Sequence, residues 1–450
     1  MSAADFPAPA PTAVAPRTLP ARSLVVAGLS TVVEWYDFTL YLYMTTIMAR
    51  VFYGGDGTSV LVTLAVFGIA YVMRPLGAVY FGRLGDRLGR RRVMLTSMTV
   101  MAVAMWVTAT LPTNAQIGAT AGVLLLILRC VMGFSVGGEY SSVLTYLVEG
   151  AKPARRGMMA SLASASSEIG GLLAVGAAAV TTSLVPGSAM DSWGWRLPYG
   201  LGALLATATL LARRSMEESP EFEQRARTED HDGTVEVTGL GRLLRTGWKP
   251  IGRAFVISAV GSITYYGGVT YVTTFLTEDA GFSERSSLWL STGASVVVIA
   301  VSPLAGHLSD QWGRRGLLRG LCVTSLVLSV AMFALMHRHG SALALTGACV
   351  LAAIAGAYSA VAASASPELF APRDRMTGLS LGNATATAVF GGLAPYTAQQ
   401  LIQATGWGLA PGVLTAAVAL IALPVIWTMR ETAPMVPQRQ DPADPRAPVG

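Results

Sequence analysis

Charge is scarce in this chain of 450 residues: Asp, Glu, Lys and Arg make up 13%, while 52% of the residues are hydrophobic. That charged share is about half the usual one for a soluble protein, so one water-soluble core is excluded and lipid is the solvent for most of the chain. Cysteine is nearly absent. Cys130, Cys322 and Cys349 each lie inside an apolar run at no metal-ligand spacing, which excludes a disulfide framework and a zinc site. Histidine occurs only at 231, 307, 337 and 339, in polar segments or at helix ends, so a buried histidine relay is excluded too. Lysine stands only at 152 and 249, and the net charge of +6 comes mostly from arginines in short loops without interleaved aromatics. Such a distribution fits membrane topology and not nucleic-acid binding. No G-x-x-x-x-G-K-[ST] loop is present, and no nucleophile, base and metal-ligand cluster, so neither a nucleotide-driven pump nor an enzyme is expected, and no cofactor.

What the chain has is apolar runs of about 20 residues, the length that spans a bilayer as a helix. Twelve can be drawn: 23–48, 58–81, 91–111, 117–148, 158–184 and 196–213, then 251–276, 287–308, 317–336, 342–370, 376–402 and 409–429. An all-α integral membrane fold of two six-helix bundles follows. The first bundle covers 23–213 and the second 251–430. Residues 1–22, rich in Ala and Pro, and 431–450, rich in Pro, read as disordered tails, and the polar stretch 214–250 reads as a linker. The apolar stretch behind the first tail contains Glu34 and Asp37, unlike the uninterrupted core of a cleaved signal peptide, so a retained helix is expected. With both termini cytoplasmic, the inner loops collect Arg83, Arg87, Arg90, Arg91, Arg92, Lys152, Arg155, Arg156, Arg314, Arg315, Arg319, Arg373 and Arg375. The outer loops hold only Arg50, Arg196, Arg285 and Arg338, so the excess of positive charge sets the orientation.

The two halves repeat each other. GRLGDRLGRRR from Gly82 returns as GHLSDQWGRR from Gly306, 224 positions on, and Glu149 with Arg156 returns as Glu368 with Arg375, 219 positions on. Two landmarks with nearly equal offsets imply six helices per half with the same sense in the membrane.

The pattern Gly82, Asp86, Arg87, Gly89, Arg90 and Arg91 resembles the loop signature of the major facilitator superfamily. Its partial second copy is Gly306, Asp310, Gly313, Arg314 and Arg315, with Gln311 in the place of Arg87. VVEWYDFTLY, MRPLGAVYFG, LRCVMGFSVGGEYSSVLTYLVEGAKPARRG and PELFAPRDRMTG resemble the metabolite:proton symporter branch, a likeness running from about residue 28 to 430. The resemblance implies a secondary transporter working by alternating access in a bacterial inner membrane, with a small solute and a proton as partners and a monomer as the working unit. Proline and betaine carriers of that branch are an alternative to carboxylate carriers. Proton-driven drug efflux is a further one, though its Gly-Pro signature is missing from SSEIGGLLAVG in the fifth span.

Glu34, Asp37, Arg74, Arg129, Glu139 and Glu168 fall within the expected spans of the first half. A charge facing lipid costs roughly 2.5–3.5 kcal/mol even on a lenient scale, so these six must pair, face an interior route, or be neutralised by protons. Four acids against two bases leave carboxylates that can take up protons near neutral pH. Asp37 is the first expectation for proton coupling, with Glu34 and Glu139 behind it; Glu168, among small residues, reads equally as packing or function. Arg129 and Arg74 are candidate anion contacts. Tyr41, which shares a helix face with Glu34 and Asp37, joins Tyr265, Tyr266, Tyr358 and Asn383 as candidate pocket residues. Asp86, Arg87, Arg90, Glu149, Arg156, Asp310, Arg314, Glu368 and Arg375 are expected to form a cytoplasmic gate that parts between states.

Overall fold

A computed structural model describes residues 21–55, 58–88, 90–137, 156–214, 247–338, 340–370 and 375–433, together with Glu139, Val143, Leu144 and Leu147. The expected tail 1–22 except its last two residues, most of the linker 214–250 and the stretch 434–450 lie outside these residues. Among them helix is the only regular structure. The first half contains α1 (Ala21–Tyr43) running on into α2 (Thr45–Tyr53), then α3 (Ser59–Leu88), α4 (Arg90–Thr110), α5 (Thr120–Val136), α6 (Arg156–Leu184) and α7 (Arg196–Arg213). The second contains α8 (Trp248–Tyr265), which passes through a π-helical turn (Tyr266–Thr270) into α9 (Tyr271–Glu278), then α10 (Glu284–Trp312), α11 (Arg314–Met336) and α12 (Ser341–Glu368). It ends with α13 (Arg375–Thr387), a second π turn (Ala388–Gly392), α14 (Ala394–Thr405) and α15 (Ala410–Trp427). Joined end to end where they run on, these make twelve rods, six in each half.

Eight of the described helices are long and apolar enough to cross a bilayer. The first rod falls short on apolar composition because it carries Glu34 and Asp37. Large apolar side chains point outward, with Ile421 77% and Leu420 57% exposed, a surface that belongs against lipid and not water. The expected starts at 23 and 251 move to Ala21 and Trp248, and Glu431, expected in a structureless tail, is packed against the start of α11.

Small residues set the helix spacing, as expected where lipid supplies no hydrophobic drive between helices. Gly77 on α3 faces the main chain of Phe134, and Gly133 on α5 faces that of Ala70, so a Cβ at either would overlap the opposite backbone. Gly137, just past α5, faces the Arg74 carbonyl in the same way, so the two chains run in close contact at the Arg74 turn. Gly170 on α6 does the same against the main chain of Val32 and Tyr36 of α1. The halves meet where α6 packs on α10 and α12, and where α3 packs on α13 and the π turn after it. Both mid-rod π turns lie at this seam, and such turns are frequent at functional sites.

Candidate functional site

A cavity of about 100 Å³ opens between the halves. One water needs roughly 10–15 Å³ on the same measure, so the space suits a small solute. Arg74, Glu168 and Trp35 face it from the first half, and Tyr265, Tyr266 and Asn383 from the second. Serines from both halves, among them Ser164, Ser167, Ser262 and Ser366, complete a polar wall. Tyr265 and Tyr266 meet Trp35 at ring-centroid distances of 5.3 and 6.0 Å, one edge-on and one stacked. The Tyr266 hydroxyl meets that of Tyr71 at 2.5 Å. These rings form an aromatic layer between the halves, and the cavity extends from it toward the start of α6, where Gly157 lies.

The four buried acids have different surroundings. Asp37 is gripped at two points by Arg129, at 2.6 and 3.2 Å, and neither side chain is more than 1% exposed. The Arg129 guanidinium also lies 5.3 Å from the Tyr41 ring and 5.8 Å from that of Tyr199. Glu139 pairs with Arg213 and accepts from the Ser97 hydroxyl at 2.8 Å. Arg213 also reaches Ser30 and the carbonyl of Met94. Glu34 stands 3.6 Å from Arg74, too far for a hydrogen bond. Both Glu34 oxygens and the Nε of Arg74 are buried without a hydrogen-bond partner. Arg74 is instead held between rings, 4.2 Å from the Phe38 centroid and 4.1 Å from that of Tyr71, an arrangement that retains a cation while leaving donors free.

The balance of four acids against two bases therefore changes. Arg213, at the end of the expected sixth span, is fully buried and is a third base. Three pairs form, Asp37 with Arg129, Glu139 with Arg213 and Glu34 with Arg74. Glu168 remains. It lines the cavity, no ion pair reaches it among the described residues, and its polar neighbour is the Tyr265 hydroxyl. Of the residues singled out in the sequence, Arg74, Tyr265, Tyr266 and Asn383 come together around the cavity; Asp37, Glu139, Arg129 and Tyr41 cluster inside the first half. Tyr358 is buried with an unpartnered hydroxyl and is not a lining residue. Trp35, Ser262 and Thr387 line the cavity without having been singled out.

Both ends of the cleft are tied. At the Gly157 end, Asp310 of α10 accepts from the backbone N–H groups of Gly157 and Met158, each at 2.9 Å, so a carboxylate of one half caps a helix of the other. Arg314 binds Asp310 at 2.8 Å and Glu368 at 3.3 Å, and Glu431 accepts from the N–H groups of Arg314 and Arg315. The side chains of Asp86, Arg87, Arg90, Glu149 and Arg375 lie outside the described residues. Arg156 is described, but its side chain makes no ion pair among the described residues. At the opposite end Arg50 binds Glu284 of the other half at 2.8 Å and Asp191 at 3.0 Å.

Comparison with known proteins agrees with this architecture. The model of the Major Facilitator Superfamily matches residues 27–352 and 271–450. The chain belongs to that superfamily. It is therefore a membrane transporter and not an enzyme. Within the superfamily, it is 32% identical to the ectoine/proline transporter ProP of Corynebacterium glutamicum over 414 residues, 89% of this chain and 82% of that one. It is 34% identical to the alpha-ketoglutarate permease of Escherichia coli over 384 residues, 84% of this chain and 87% of the permease. Among solved structures, the proton:xylose symporter XylE bound to 6-bromo-6-deoxy-D-glucose superposes with a TM-score of 0.73 at 18% identity, covering 91% of this chain and 96% of that one. At that identity the likeness is one of fold.

Proposed function

We propose that this transporter carries a small carboxylate-bearing solute inward together with a proton by alternating access, Glu168 binding the proton and Arg74 the carboxylate. The observation that carries the reading is the charge balance at the cavity: of the four acids buried in the first half among the described residues, three form ion pairs and the fourth, Glu168, faces the solute space. A carboxyl in that position can be neutral when protonated and charged when not, which couples its occupancy to a neighbouring anion. Arg74 supplies the complementary cation, since its hold on Glu34 is loose and its place on the Phe38 and Tyr71 rings is fixed. The Gly157 end is the cytoplasmic one in this reading, because the arginine-rich loops gather there and positive loops stay inside. Both termini are then cytoplasmic, the membrane is a bacterial inner membrane, and one chain is the working unit since it holds both halves of the cavity.

A zwitterionic solute of the proline, ectoine or betaine kind is favoured by one further observation. The rings of Trp35, Tyr265 and Tyr266 wall the cavity that Arg74 enters, and aromatic faces attract ammonium groups. The relatives are named for proline and ectoine as well as for alpha-ketoglutarate.

The test is uptake into proteoliposomes of radiolabelled proline, glycine betaine and alpha-ketoglutarate, with and without an imposed pH gradient. Accumulation of at least one should require the gradient and collapse with a protonophore. Glu168→Gln should abolish accumulation while solute exchange persists. Gradient-driven accumulation undiminished in that variant removes Glu168 from the proposal, and export driven by the gradient replaces symport with antiport.

A further inference from the structure

The solute cavity lies on the Gly157 side of the aromatic layer, while protons for uptake arrive from the Arg50 side. A second, smaller feature spans that gap. Where α1 and α2 meet α9 and α10, a cavity of about 10 Å³ is lined by Tyr43, Thr46, Thr273, Thr274, Thr277 and Glu284. Its size matches the roughly 10–15 Å³ that a single water requires, and five hydroxyls and the Glu284 carboxylate line it beside Ile47 and Leu288. At the outer edge Glu284, partly exposed, accepts from the Thr46 hydroxyl at 2.5 Å. Deeper in, the Thr273 and Ser291 hydroxyls meet at 2.7 Å. Tyr43 closes the inner side: it is 3% exposed, yet its hydroxyl has no direct hydrogen-bond partner. The side chain nearest to bonding it is Ser295, whose hydroxyl donates to the Ser291 carbonyl at 2.9 Å, and the Glu168 charge acts on it through space. Beyond it the Tyr265 hydroxyl bonds Glu168 and lies within electrostatic range of Tyr43.

A fully buried hydroxyl left without a partner costs about 1–3 kcal/mol, and such groups are expected where water enters. Tyr43 thus points to a ligand, and the neighbouring small polar space gives its size. The mouth carries acids: Asp191, Glu278, Asp279 and Glu284 stand near one end, Arg50 pairs with two of them, and Arg285 turns to the carbonyls of Thr182 and Ser183.

We propose that this seam is the route by which a proton reaches Glu168 from the Arg50 end, through water beside Glu284, Thr46 and Tyr43 and then the Tyr265 hydroxyl. The inference rests on the symport reading for its purpose but not for its chemistry. Each hydroxyl accepts one proton and releases another, and the net change is one proton lost from the outer medium and one carboxylate made neutral. No other reactant is needed. The groups that face Glu168 are Tyr265 on α8, Tyr43 on α1 and, across the cavity, Arg74 on α3. Gly171, one turn along α6, leaves room for the Tyr265 hydroxyl, which a Cβ there would approach at 3.0 Å.

The experiment uses the full chain in proteoliposomes and needs no solute. After an external pH drop, the infrared carboxylic C=O band that Glu168→Gln removes is followed in time. Tyr43→Phe, a substitution that keeps the ring and its packing, should slow the rise of that band at least tenfold, and Gly171→Ala should slow it by displacing the Tyr265 hydroxyl. An unchanged rate in both variants overturns the route. The same vesicles, given glycine betaine, proline and alpha-ketoglutarate under a pH gradient, report the symport reading separately. If none of the three accumulates in the unsubstituted protein but Tyr43→Phe still slows protonation, the uptake reading fails and the route stands.

Discussion

Arg129 and Asp37 hold each other at two points, 2.6 and 3.2 Å apart, in a part of the first half that the solute cavity does not reach. A pair this dry contributes little net stability as a pair, because desolvation offsets its attraction, but breaking one side leaves a buried charge alone. Asp37→Ala and Arg129→Ala should each lower stability by about 3–5 kcal/mol, read as a fall in unfolding temperature in detergent. The double replacement should cost less than the sum of the two, since it strands no charge. An additive double variant shows that the two do not act as a pair.

Arg74 should respond differently because its role is on the cavity side. Arg74→Lys keeps the charge but loses the planar fork and the ring stacking, so it should raise the KM for a carboxylate solute at least tenfold with a smaller change in maximal rate. Arg74→Gln should remove uptake of carboxylates altogether and leave Glu34 without its cation. Unaltered KM in Arg74→Lys removes Arg74 as the anion contact.

Asp310 ties the halves together at the Gly157 end through two backbone N–H groups of α6. Asp310→Asn keeps one acceptor oxygen but loses the charge that favours the start of a helix and the pairing with Arg314. The equilibrium should shift toward the state open at that end. Ser366→Cys, placed in the cavity wall, reports this by maleimide labelling from that side in a background lacking the three native cysteines. Labelling should be several-fold faster with Asp310→Asn, and an equal rate shows that Asp310 anchors the loop without gating.

The twelve rods and six of the seven buried charges of the first half were legible because hydropathy and charge are local properties of the chain. The pairing of those charges was not. Arg213 sits at the edge of an apolar run, where an arginine ordinarily reaches for the interface, yet it is fully buried and neutralises Glu139, 74 positions away. With that base left out, two of the four acids were in excess and Asp37 came first; with it included, Glu168 is the one left over. The clasp of Arg50 on Glu284 spans 234 positions and joins two halves, so no spacing rule reaches it. The cap that Asp310 places on α6 was legible only as a gate residue in a repeated loop, and its partner, a bare backbone, carries no side-chain signal. Trp35 shows the same limit: beside the charged Glu34 it reads as packing, and only the approach of Tyr265 and Tyr266 from the other half makes it a cavity wall.

Asp279 gives a pH test outside the membrane-spanning helices. It follows the last residue of α9, where burial and the neighbouring charge of Glu278 push its carboxyl up to about 6, against a partial stabilisation by Gln399. Gln399 in turn accepts from the Tyr271 hydroxyl at 2.6 Å, so the cluster is held from two rods. In an unfolded chain the same carboxyl titrates near ~3.9. Between those two values the unfolded state gives up its proton first, so the folded state loses stability as pH rises from about 4 to about 6 and loses no more above that. Partial exposure of the site reduces the size of the effect. Asp279→Asn removes the titration and keeps the shape. The unfolding temperature of the variant should therefore exceed that of the unsubstituted protein near neutral pH by more than it does near pH ~4. Equal gaps at the two pH values show that Asp279 ionises in the folded protein as freely as in the unfolded chain.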